Sequence, residues 1–402
     1  MMRALCYHGK QDVRVDTVPD PEIVNPRDAI IQISSTAICG SDLHLYDGVI
    51  PTLKSGDILG HEFMGRVVDV GPHSTLRKGQ RVVVPFVIAC GSCYFCQQQQ
   101  YSACDNSNPV DKQDMSETLY GSPMSGLFGY SHLTGGYPGG QAEYVRVPFS
   151  DVGPIVIEDD GIDDDVVLFL SDILPTGWMA AENAGISEGD TVAIWGAGPV
   201  GLFTAQSALL MGAARVIVID HYPHRLDLAR GLGAEVINFR ETDVREALME
   251  MSGGIGPDAV IDAVGMEAHG FAIDNMLDIA KQKVGFGADR ASALKQALLA
   301  VRKGGRLSVP GVYGGMTDKF PIGALMEKGI TVKSGQTHVQ RYSAKLLEMI
   351  ADGRVDTTFL ISHRLPLEEA PRGYRIFHDE QNETTKVVLK PGLAPSQGDG
   401  NG

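Results

Sequence analysis

The sequence predicts an α/β protein with two domains, a doubly wound parallel sheet and an irregular β-barrel. Its 402 residues exceed the length at which a single hydrophobic core stops growing. The first 150 or so residues contain short β-branched runs broken by glycine and proline, whereas beyond Leu174 short apolar runs alternate with helical patterns. Strands that alternate with helices are typical of a parallel sheet covered on both faces.

The amino-terminal part is predicted to be a barrel of antiparallel strands. Three β-branched runs, 29–34, 65–70 and 80–85, have the composition of strands. Residues 105–140 are rich in Gly, Ser, Tyr and Pro and lack a clear periodicity. A segment of that length predicts a functional or interface loop.

The second half alternates more regularly, and no internal repeat is visible. Strands are predicted at 191–195, 214–220 and 258–262, and helices at 200–212 and 224–231. After Gly335 we expect one amphipathic helix, 341–350, and a final strand, 384–389, that could return to complete the first domain. We therefore expect a first domain over 1–174, a second over 175–334, a return segment over 335–390 and a disordered tail over 391–402.

Composition narrows the class of protein. The chain carries 34 basic and 50 acidic residues, a formal charge of −16, which argues against a nucleic-acid or anionic-membrane partner. We find no apolar run long enough for a signal peptide or a membrane span. The cysteines are grouped as for metal rather than paired as for disulfides, apart from Cys6, which we expect to be a small buried hydrophobe. This grouping favours the reducing cytoplasm.

Four of the six cysteines, Cys90, Cys93, Cys96 and Cys104, lie within fifteen positions. Four thiolates at such spacings can close a tetrahedron around Zn²⁺ and leave no open coordination position. We therefore predict a structural zinc site here and a catalytic centre elsewhere.

A glycine motif, Gly196-Ala197-Gly198-Pro199-Val200-Gly201, follows a predicted strand and opens a predicted helix. Gly196 and Gly198 allow a tight turn and close approach to a pyrophosphate, and Gly201 allows the helix to pack on the sheet. Asp220 ends the next strand, where its carboxylate can bind the adenosine ribose and disfavour a 2′-phosphate. This Rossmann pattern predicts NAD rather than NADP. Arg225 either flanks the adenosine or is an ordinary surface arginine.

A second metal site is predicted from Cys39, His61 and Asp172, which lie on three separate segments. One thiolate, one imidazole and one carboxylate leave a fourth position open, as catalytic zinc requires. Taken singly, each has a plainer explanation as a buried thiol, a capping histidine or a helix N-cap. The combination with a dinucleotide motif and a closed four-cysteine site favours the metal.

On these motifs the chain resembles the medium-chain, zinc-dependent alcohol dehydrogenases, from Arg3 to about Lys390. The resemblance rests on 39–44, 60–62, the four-cysteine segment and 196–201, and implies a GroES-like catalytic domain and a homodimer or homotetramer. The run 170–177, which contains Asp172, and the run 335–337 are similar to runs found in the glutathione-independent formaldehyde dehydrogenase and dismutase branch of the family. An oxygen ligand in place of sulfur donates less charge, so the zinc should be a stronger Lewis acid.

The resemblance also implies residue roles. Ser41 is placed to accept the substrate hydroxyl proton, which in the family passes through the cofactor ribose to the position of His44. Asp42 would orient His61 through its distal nitrogen, and Glu62 either supports the site or replaces a ligand during exchange. Further positions that line the cofactor in relatives are Gly40, Ser41, Thr176, Val200, Val264, Pro310, Val312, Gly335 and Thr337. Phe86 and Ile50 are predicted to be walls of the substrate pocket. Residues 266–303 form a long insertion that either covers the cofactor, with His269 in contact, or joins subunits.

Three functions remain open at this stage. The first is NAD-dependent oxidation of a primary alcohol or aldehyde hydrate at a catalytic zinc. The second is formaldehyde oxidation or aldehyde dismutation with a tightly held NAD. The third, of another class, is a catalytically idle NAD-binding relative, which the retained metal ligands disfavour.

Overall fold

The computed structural model describes residues 1–50, 52–109, 113–265, 291–313 and 320–393. They form two compact units: Met1–Pro175 with the segment from Thr337 onward, and Thr176–Gln336. The first is built on a mostly antiparallel sheet and the second on a parallel one. The predicted α/β fold class is therefore confirmed.

The first unit contains a hairpin and a seven-stranded sheet. Its strands are β1 (Met2–Gly9), β2 (Asp12–Val18), β3 (Ala29–Ile38), β4 (Glu62–Val70), β5 (Arg81–Val84), β6 (Tyr144–Val147), β7 (Ile155–Val156), β14 (Ile361–Pro366) and β15 (Lys386–Lys390). The order in the sheet is β14-β15-β3-β4-β5-β7, with β6 paired to β3. Only β14 and β15 pair in parallel among these described strands. The long strand β3 is central because it carries buried side chains almost throughout.

The second unit is a six-stranded parallel sheet. Its strands are β8 (Thr191–Trp195), β9 (Arg215–Asp220), β10 (Glu235–Asn238), β11 (Ala259–Asp262), β12 (Arg306–Val309) and β13 (Thr331–Ser334). The order β10-β9-β8-β11-β12-β13 runs outward in both directions from the middle, so the strand order reverses between β8 and β11. Ligands of such sheets bind beyond the carboxyl ends of the strands at this reversal point.

The described helices connect and cover these sheets. They are α1 (Gly40–Tyr46), α2 (Tyr94–Gln97), α3 (Gln113–Tyr120), α4 (Asp164–Val167), α5 (Ile173–Asn183), α6 (Pro199–Leu210), α7 (Pro223–Gly231), α8 (Val244–Met251), α9 (Ser292–Ala300), α10 (Ile322–Lys328), α11 (Val339–Ala351) and α12 (Ala370–Asp379). Within the residues that the structure describes, no helix is both long and apolar enough to cross a membrane.

Two sequence expectations are wrong. The segment 105–140 is not an unbroken loop, since α3 and a short 3₁₀ turn, His132–Thr134, lie within it. The carboxyl-terminal segment holds more than one helix and one strand, because β14 and α12 lie between α11 and β15. In α12 the residues Ala370, Gly373, Tyr374 and Phe377 form the buried face, a helical spacing that Pro371 and Gly373 obscure in the sequence.

Candidate active site

Strand ends bring three chain segments together at one edge of the seven-stranded sheet. Strand β3 runs directly into Cys39, and β4 begins immediately after His61. Because β3 and β4 are antiparallel with Ala37 opposite Glu62, Cys39 and His61 lie at the same end of the pair. On the other side of β3, β15 is antiparallel with Val387 opposite Ile38, which places Lys386 beside Cys39.

Asp172 is brought to the same edge of the sheet by a backbone contact with the segment that follows β5. The Phe86 amide, just beyond β5, donates to the Ser171 carbonyl at 3.0 Å. Asp172 then lies between a 3₁₀ turn and α5, with φ −155° and ψ −79°. Asp172 thus stands directly before the first residue of α5.

The side chains of Cys39, His61, Glu62 and Asp172 each have one ligand atom within 4.8 Å of the others, and all four are buried. His61 Nε2 lies 3.3 Å from Asp172 Oδ2 and 3.3 Å from Ser41 Oγ. Burial lowers the pKa of His61, but Asp42 and Asp172 outweigh that effect and raise it well above its usual value. Buried acidic groups gathered at this density need a cation. Sulfur, nitrogen and carboxylate oxygen are the donor set that zinc accepts.

A buried polar chain orients the imidazole of His61. Its Nδ1 lies 3.1 Å from Asp42 Oδ1, and Asp42 Oδ2 accepts from the Cys39 amide at 2.9 Å and from Gln141 Nε2 at 3.4 Å. The Tyr374 hydroxyl donates to Gln141 Oε1 at 2.9 Å. With Nδ1 turned to Asp42, Nε2 is left to face a metal, as carboxylate–histidine–metal arrangements require. Gln141 and Tyr374 have no signal in the sequence.

Glu62 contacts a third residue that the sequence did not predict, Lys386. The Lys386 ammonium lies 2.6 Å from Glu62 Oε2 and donates to Oε1 at 2.7 Å, and both side chains are fully buried. Burial lowers the pKa of Lys386, but the Glu62 carboxylate outweighs it and raises that pKa. The ammonium of Lys386 balances the charge of Glu62 beside the metal ligands, a contact that favours the supporting role over ligand exchange, the two roles predicted for Glu62.

Two aromatic rings flank the imidazole of His61. Phe86 and Tyr130 lie edge-on to it, with ring centroids at 6.2 and 6.4 Å. Phe86 is one of the predicted substrate-wall residues, whereas Tyr130 was not predicted. Gly129 has φ +54°, and a Cβ there would lie 2.4 Å from the Gly60 carbonyl oxygen, so this glycine presses the loop against the segment before His61. The other predicted wall residue, Ile50, is half-buried and packs on the same core cluster as Tyr130.

Two further predicted residues lie on α1. Ser41 and His44 are three positions apart on this helix and so share a face. The His44 side chain is buried. Gly40 is the first residue of the helix.

The four-cysteine segment has the geometry of a closed metal site. All four sulfurs lie within 4.8 Å of one another, and the Cys90–Cys96 and Cys93–Cys104 separations are both 4.0 Å. Sulfurs of a zinc tetrahedron are about 3.8 Å apart. Burial raises the pKa of Cys90, but amide hydrogen bonds from Ser92 and Cys93 outweigh burial and lower it to about 6. A thiolate at this position suits a zinc ligand.

The glycine motif lies at the carboxyl end of β8, beside the point where the strand order reverses. Gly196 has φ +97°, and a Cβ on Gly201 would lie 1.9 Å from the Gly196 carbonyl oxygen. The close helix-to-strand packing assigned to Gly201 therefore requires glycine. Pro199 is the first residue of α6, Gly198 is its N-cap, and Val200 follows. The free amides at this helix end can hold a pyrophosphate.

Asp220 ends β9 next to this turn. Its Oδ2 accepts from the Ala197 amide at 2.7 Å, and its Oδ1 accepts from the His221 amide at 2.6 Å. Burial raises the pKa of Asp220, but the His221 side chain, the Ala197 and His221 amides and the charge of Arg225 outweigh it and keep the pKa below its usual value. Arg225 lies over the Tyr222 ring, 4.7 Å from its centroid. An ionised carboxylate thus stands beside the glycine turn.

The remaining predicted cofactor residues lie at several places. Val264 follows β11, and Pro310 and Val312 follow β12. Gly335 follows β13 in the second unit, whereas Thr337 is buried in the first. Thr176 is buried in α5 at the start of the second unit. His269 lies outside the described residues, as does most of the insertion at 266–303 and of the tail at 391–402.

Comparison with known proteins agrees with this geometry. Residues 25–157 match the alcohol dehydrogenase GroES-like domain, and residues 199–285 match the zinc-binding dehydrogenase family. The solved alcohol dehydrogenase of Thermus sp. ATN1 superposes with a TM-score of 0.81 at 36% identity, covering 97% of this chain and all of that one. These matches define the class: a zinc-binding dehydrogenase built from a GroES-like and a Rossmann-type unit.

Relatives across the whole length fix the family. An uncharacterised zinc-type alcohol dehydrogenase-like protein of Bacillus subtilis is 43% identical over 394 residues, which cover 97% of this chain and 100% of the relative. A glutathione-independent formaldehyde dehydrogenase of Pseudomonas aeruginosa and a formaldehyde dismutase of Pseudomonas putida are each 34% identical, with 97% of both chains covered. The chain belongs to the zinc-dependent alcohol dehydrogenase family. It is therefore an oxidoreductase of a zinc-dependent family, as the sequence predicts.

Proposed function

We propose that the chain oxidises a small primary alcohol or aldehyde hydrate, with NAD as hydride acceptor. The observation that carries the proposal is the cluster of Cys39, His61 and Asp172 with Ser41 3.3 Å from His61 Nε2. When bound there, zinc supplies a Lewis acid toward the substrate oxygen and NAD supplies the hydride acceptor.

The side chains of the chain divide the remaining work. Cys39, His61 and Asp172 hold the metal, and Asp42 keeps the His61 imidazole in one orientation. Ser41 accepts the hydroxyl proton of the substrate, and His44, one helical turn away, passes it towards solvent. Phe86 and Tyr130 limit the space beside the imidazole, which favours a compact substrate.

The coenzyme is proposed to occupy the carboxyl ends of β8, β9, β11 and β12. Gly196, Gly198 and Gly201 allow the pyrophosphate to approach, and Asp220 binds the adenosine ribose. A 2′-phosphate would meet the ionised Asp220 carboxylate, so NAD is preferred over NADP. Arg225 and the loop residues Thr176, Val200, Val264, Pro310, Val312, Gly335 and Thr337 complete the proposed cofactor site.

Formaldehyde oxidation or aldehyde dismutation is the second candidate, and it is favoured by the carboxylate at Asp172 and by the relatives of that activity at 34% identity. In dismutation one aldehyde hydrate is oxidised to the acid and a second aldehyde is reduced to the alcohol. NAD is reduced and reoxidised in place, so no external oxidant is consumed.

The deciding experiment is product analysis of the purified protein. Formaldehyde, ethanol and benzyl alcohol are supplied separately with NAD, with NADP or with no added coenzyme, and acids, aldehydes, alcohols and NADH are quantified. Net NADH and free aldehyde from an alcohol support the first candidate. Equal amounts of formate and methanol without added NAD support dismutation, and no turnover of any substrate contradicts both.

We further propose a cytoplasmic homodimer or homotetramer. Among the described strands, β13 lies at an edge of its sheet and all four of its residues are exposed. Such an edge is a ready template for pairing with another chain. Light scattering on the eluting protein measures the mass, and a monomer would contradict this proposal.

A further inference from the structure

Asp262 is a buried acid that the proposed chemistry does not use. It is the last residue of β11, next to β8 across the point where the strand order reverses, and its side chain is fully buried. Its Oδ1 accepts from the amides of Val264 at 3.0 Å and Gly265 at 3.3 Å. The Tyr313 hydroxyl donates to its Oδ2 at 2.6 Å.

This one carboxylate joins two loops. Val264 and Gly265 follow β11, whereas Tyr313 follows β12, and the Gly311 amide donates to the main-chain oxygen of Asp262 at 3.0 Å. The loops already touch, since a Cβ on Gly265 would lie 2.6 Å from the Val312 amide nitrogen. The carboxylate therefore fixes the position of one loop against the other.

The joined loops also border the glycine turn. A Cβ on Gly196 would come within 3.0 Å of the Val264 side chain and 3.3 Å of the Ala263 carbonyl oxygen. In this class of sheet the two halves of a dinucleotide lie on opposite sides of the reversal point. Because Asp220 on β9 marks the adenosine side, the loops after β11 and β12 lie on the nicotinamide side.

Burial of an ionised carboxylate costs free energy, because the charge loses its contact with water. Burial raises the pKa of Asp262, and the Tyr313 hydroxyl and the Val264 and Gly265 amides oppose that rise. An apolar side chain of similar volume would pack without this cost. What the carboxylate adds is directional hydrogen bonds to two loops at once.

We propose that Asp262 and Tyr313 form a buried clamp that positions the loops after β11 and β12 for the nicotinamide half of the coenzyme. They are positioning residues, since neither needs to touch the coenzyme. The inference rests on the proposed function, because it requires a dinucleotide at this crevice.

The test compares Tyr313→Phe and Asp262→Asn with the wild type, using two probes. NADH carries the nicotinamide half, and ADP-ribose lacks it. Ser252→Ala is the matched control. It removes the hydrogen bonds that the Ser252 hydroxyl makes with the Leu248 carbonyl and the Gly256 amide, in the segment that precedes β11. Dissociation constants are measured by calorimetry and unfolding temperatures by circular dichroism.

The clamp predicts that Tyr313→Phe weakens NADH binding about tenfold, the usual effect of losing a hydrogen bond to a charged group, while ADP-ribose binding changes less than twofold. Asp262→Asn should weaken NADH binding further, and Ser252→Ala should change neither. If Asp262→Asn does not fold, Tyr313→Phe, which keeps the ring, carries the test. Equal losses for both probes, or no loss for NADH, would overturn the clamp. A wild type that binds neither probe would instead overturn the proposed function.

Discussion

At the scale of single residues, the metal cluster was predictable but the groups that support it were not. Cys39 and His61 stand in short motifs and Asp172 stands in a distinctive run, and their combination with the glycine motif and the four-cysteine segment identifies them as metal candidates. Lys386 meets Glu62 across 324 positions of chain, and Gln141 meets Tyr374 across 233. A lone lysine in a strand or a lone glutamine in a glycine-rich loop has no local pattern that predicts such a contact.

The buried pair of Glu62 and Lys386 gives a stability prediction. Lys386→Met leaves the Glu62 carboxylate buried and unpaired, which should lower the free energy of unfolding by about 3–5 kcal/mol. The double variant Glu62→Gln/Lys386→Met should recover most of that loss, and Lys10→Met, on the exposed surface, should cost little. Urea unfolding of the zinc-loaded protein measures the free energy of unfolding of the wild type and of the three variants. Equal losses in the single and double variants would show that the pair is not the cause.

Tyr130 gives a specificity prediction. Its ring centroid lies 6.4 Å from that of His61, and Tyr130 also lines a cavity of about 120 Å³ together with Asp57, Ile58 and Ser131. Tyr130→Ala should therefore raise the ratio of kcat/KM for benzyl alcohol to that for ethanol by about tenfold or more, since pocket contacts of this size are worth about 1–3 kcal/mol. Tyr130→Phe, which keeps the ring, is the matched control. An unchanged ratio in Tyr130→Ala would remove this residue from the substrate pocket.

At the scale of elements, regular alternation of strands and helices made the parallel sheet easier to predict than the seven-stranded sheet of the first unit. Strands β8, β9 and β11 are short buried apolar runs with a helix or a turn after each, so their positions follow from the sequence. The helix α12 and strand β14 do not, because β14 shows no regular alternation of buried and exposed positions and α12 contains proline and glycine. Their places depend on packing against elements distant in sequence.

The link between α4 and the carboxyl-terminal strands gives a pH prediction. Lys390 on β15 lies 2.5 Å from Asp165 Oδ1, and Arg364 on β14 donates to Oδ2 at 2.6 Å. Burial raises the pKa of Asp165, but these cations outweigh burial and lower it. A carboxyl whose pKa is lower in the folded state stabilises the fold above its unfolded pKa of about 3.9 and loses that effect as pH falls through the folded value.

Asp165→Asn should therefore cost about 1–3 kcal/mol of unfolding free energy at neutral pH. The difference between wild type and variant should stay constant from about pH 7 to pH 5 and shrink below about pH 4. Guanidinium unfolding at a series of pH values measures it. A difference that grows as pH falls would have the wrong sign and would contradict the assignment.

At the scale of the whole molecule, the parallel sheet and the presence of two units follow from the sequence pattern, and the structure contains both. The domain bounds expected at 174 and 334 stay a prediction, which limited proteolysis followed by mass spectrometry would test. Arrangement within the first unit could not be predicted, since a chain segment from the far carboxyl terminus completes its sheet through β15 and β3.

The coenzyme is assigned to the second unit and the structural zinc to the first. Each should therefore change hydrogen exchange in a different segment of the chain. NADH should slow hydrogen exchange most around 191–220, because a ligand stabilises the segments that bind it, by about 2.7 kcal/mol at a hundred times its dissociation constant. Chelation of zinc should speed exchange around 90–104 and leave 191–220 little changed. Exchange mass spectrometry resolves the two. Chelation that loosens 191–220 as much as 90–104 would contradict this assignment.

We propose that this chain holds one structural zinc and one catalytic zinc, the latter on Cys39, His61 and Asp172. It is tested most directly by measuring zinc per chain together with NADH formation in the wild type and in Asp172→Ala. The two ligand clusters predict two zincs in the wild type, one in the variant and loss of turnover with the fold retained. Two zincs and undiminished turnover in Asp172→Ala would contradict the claim.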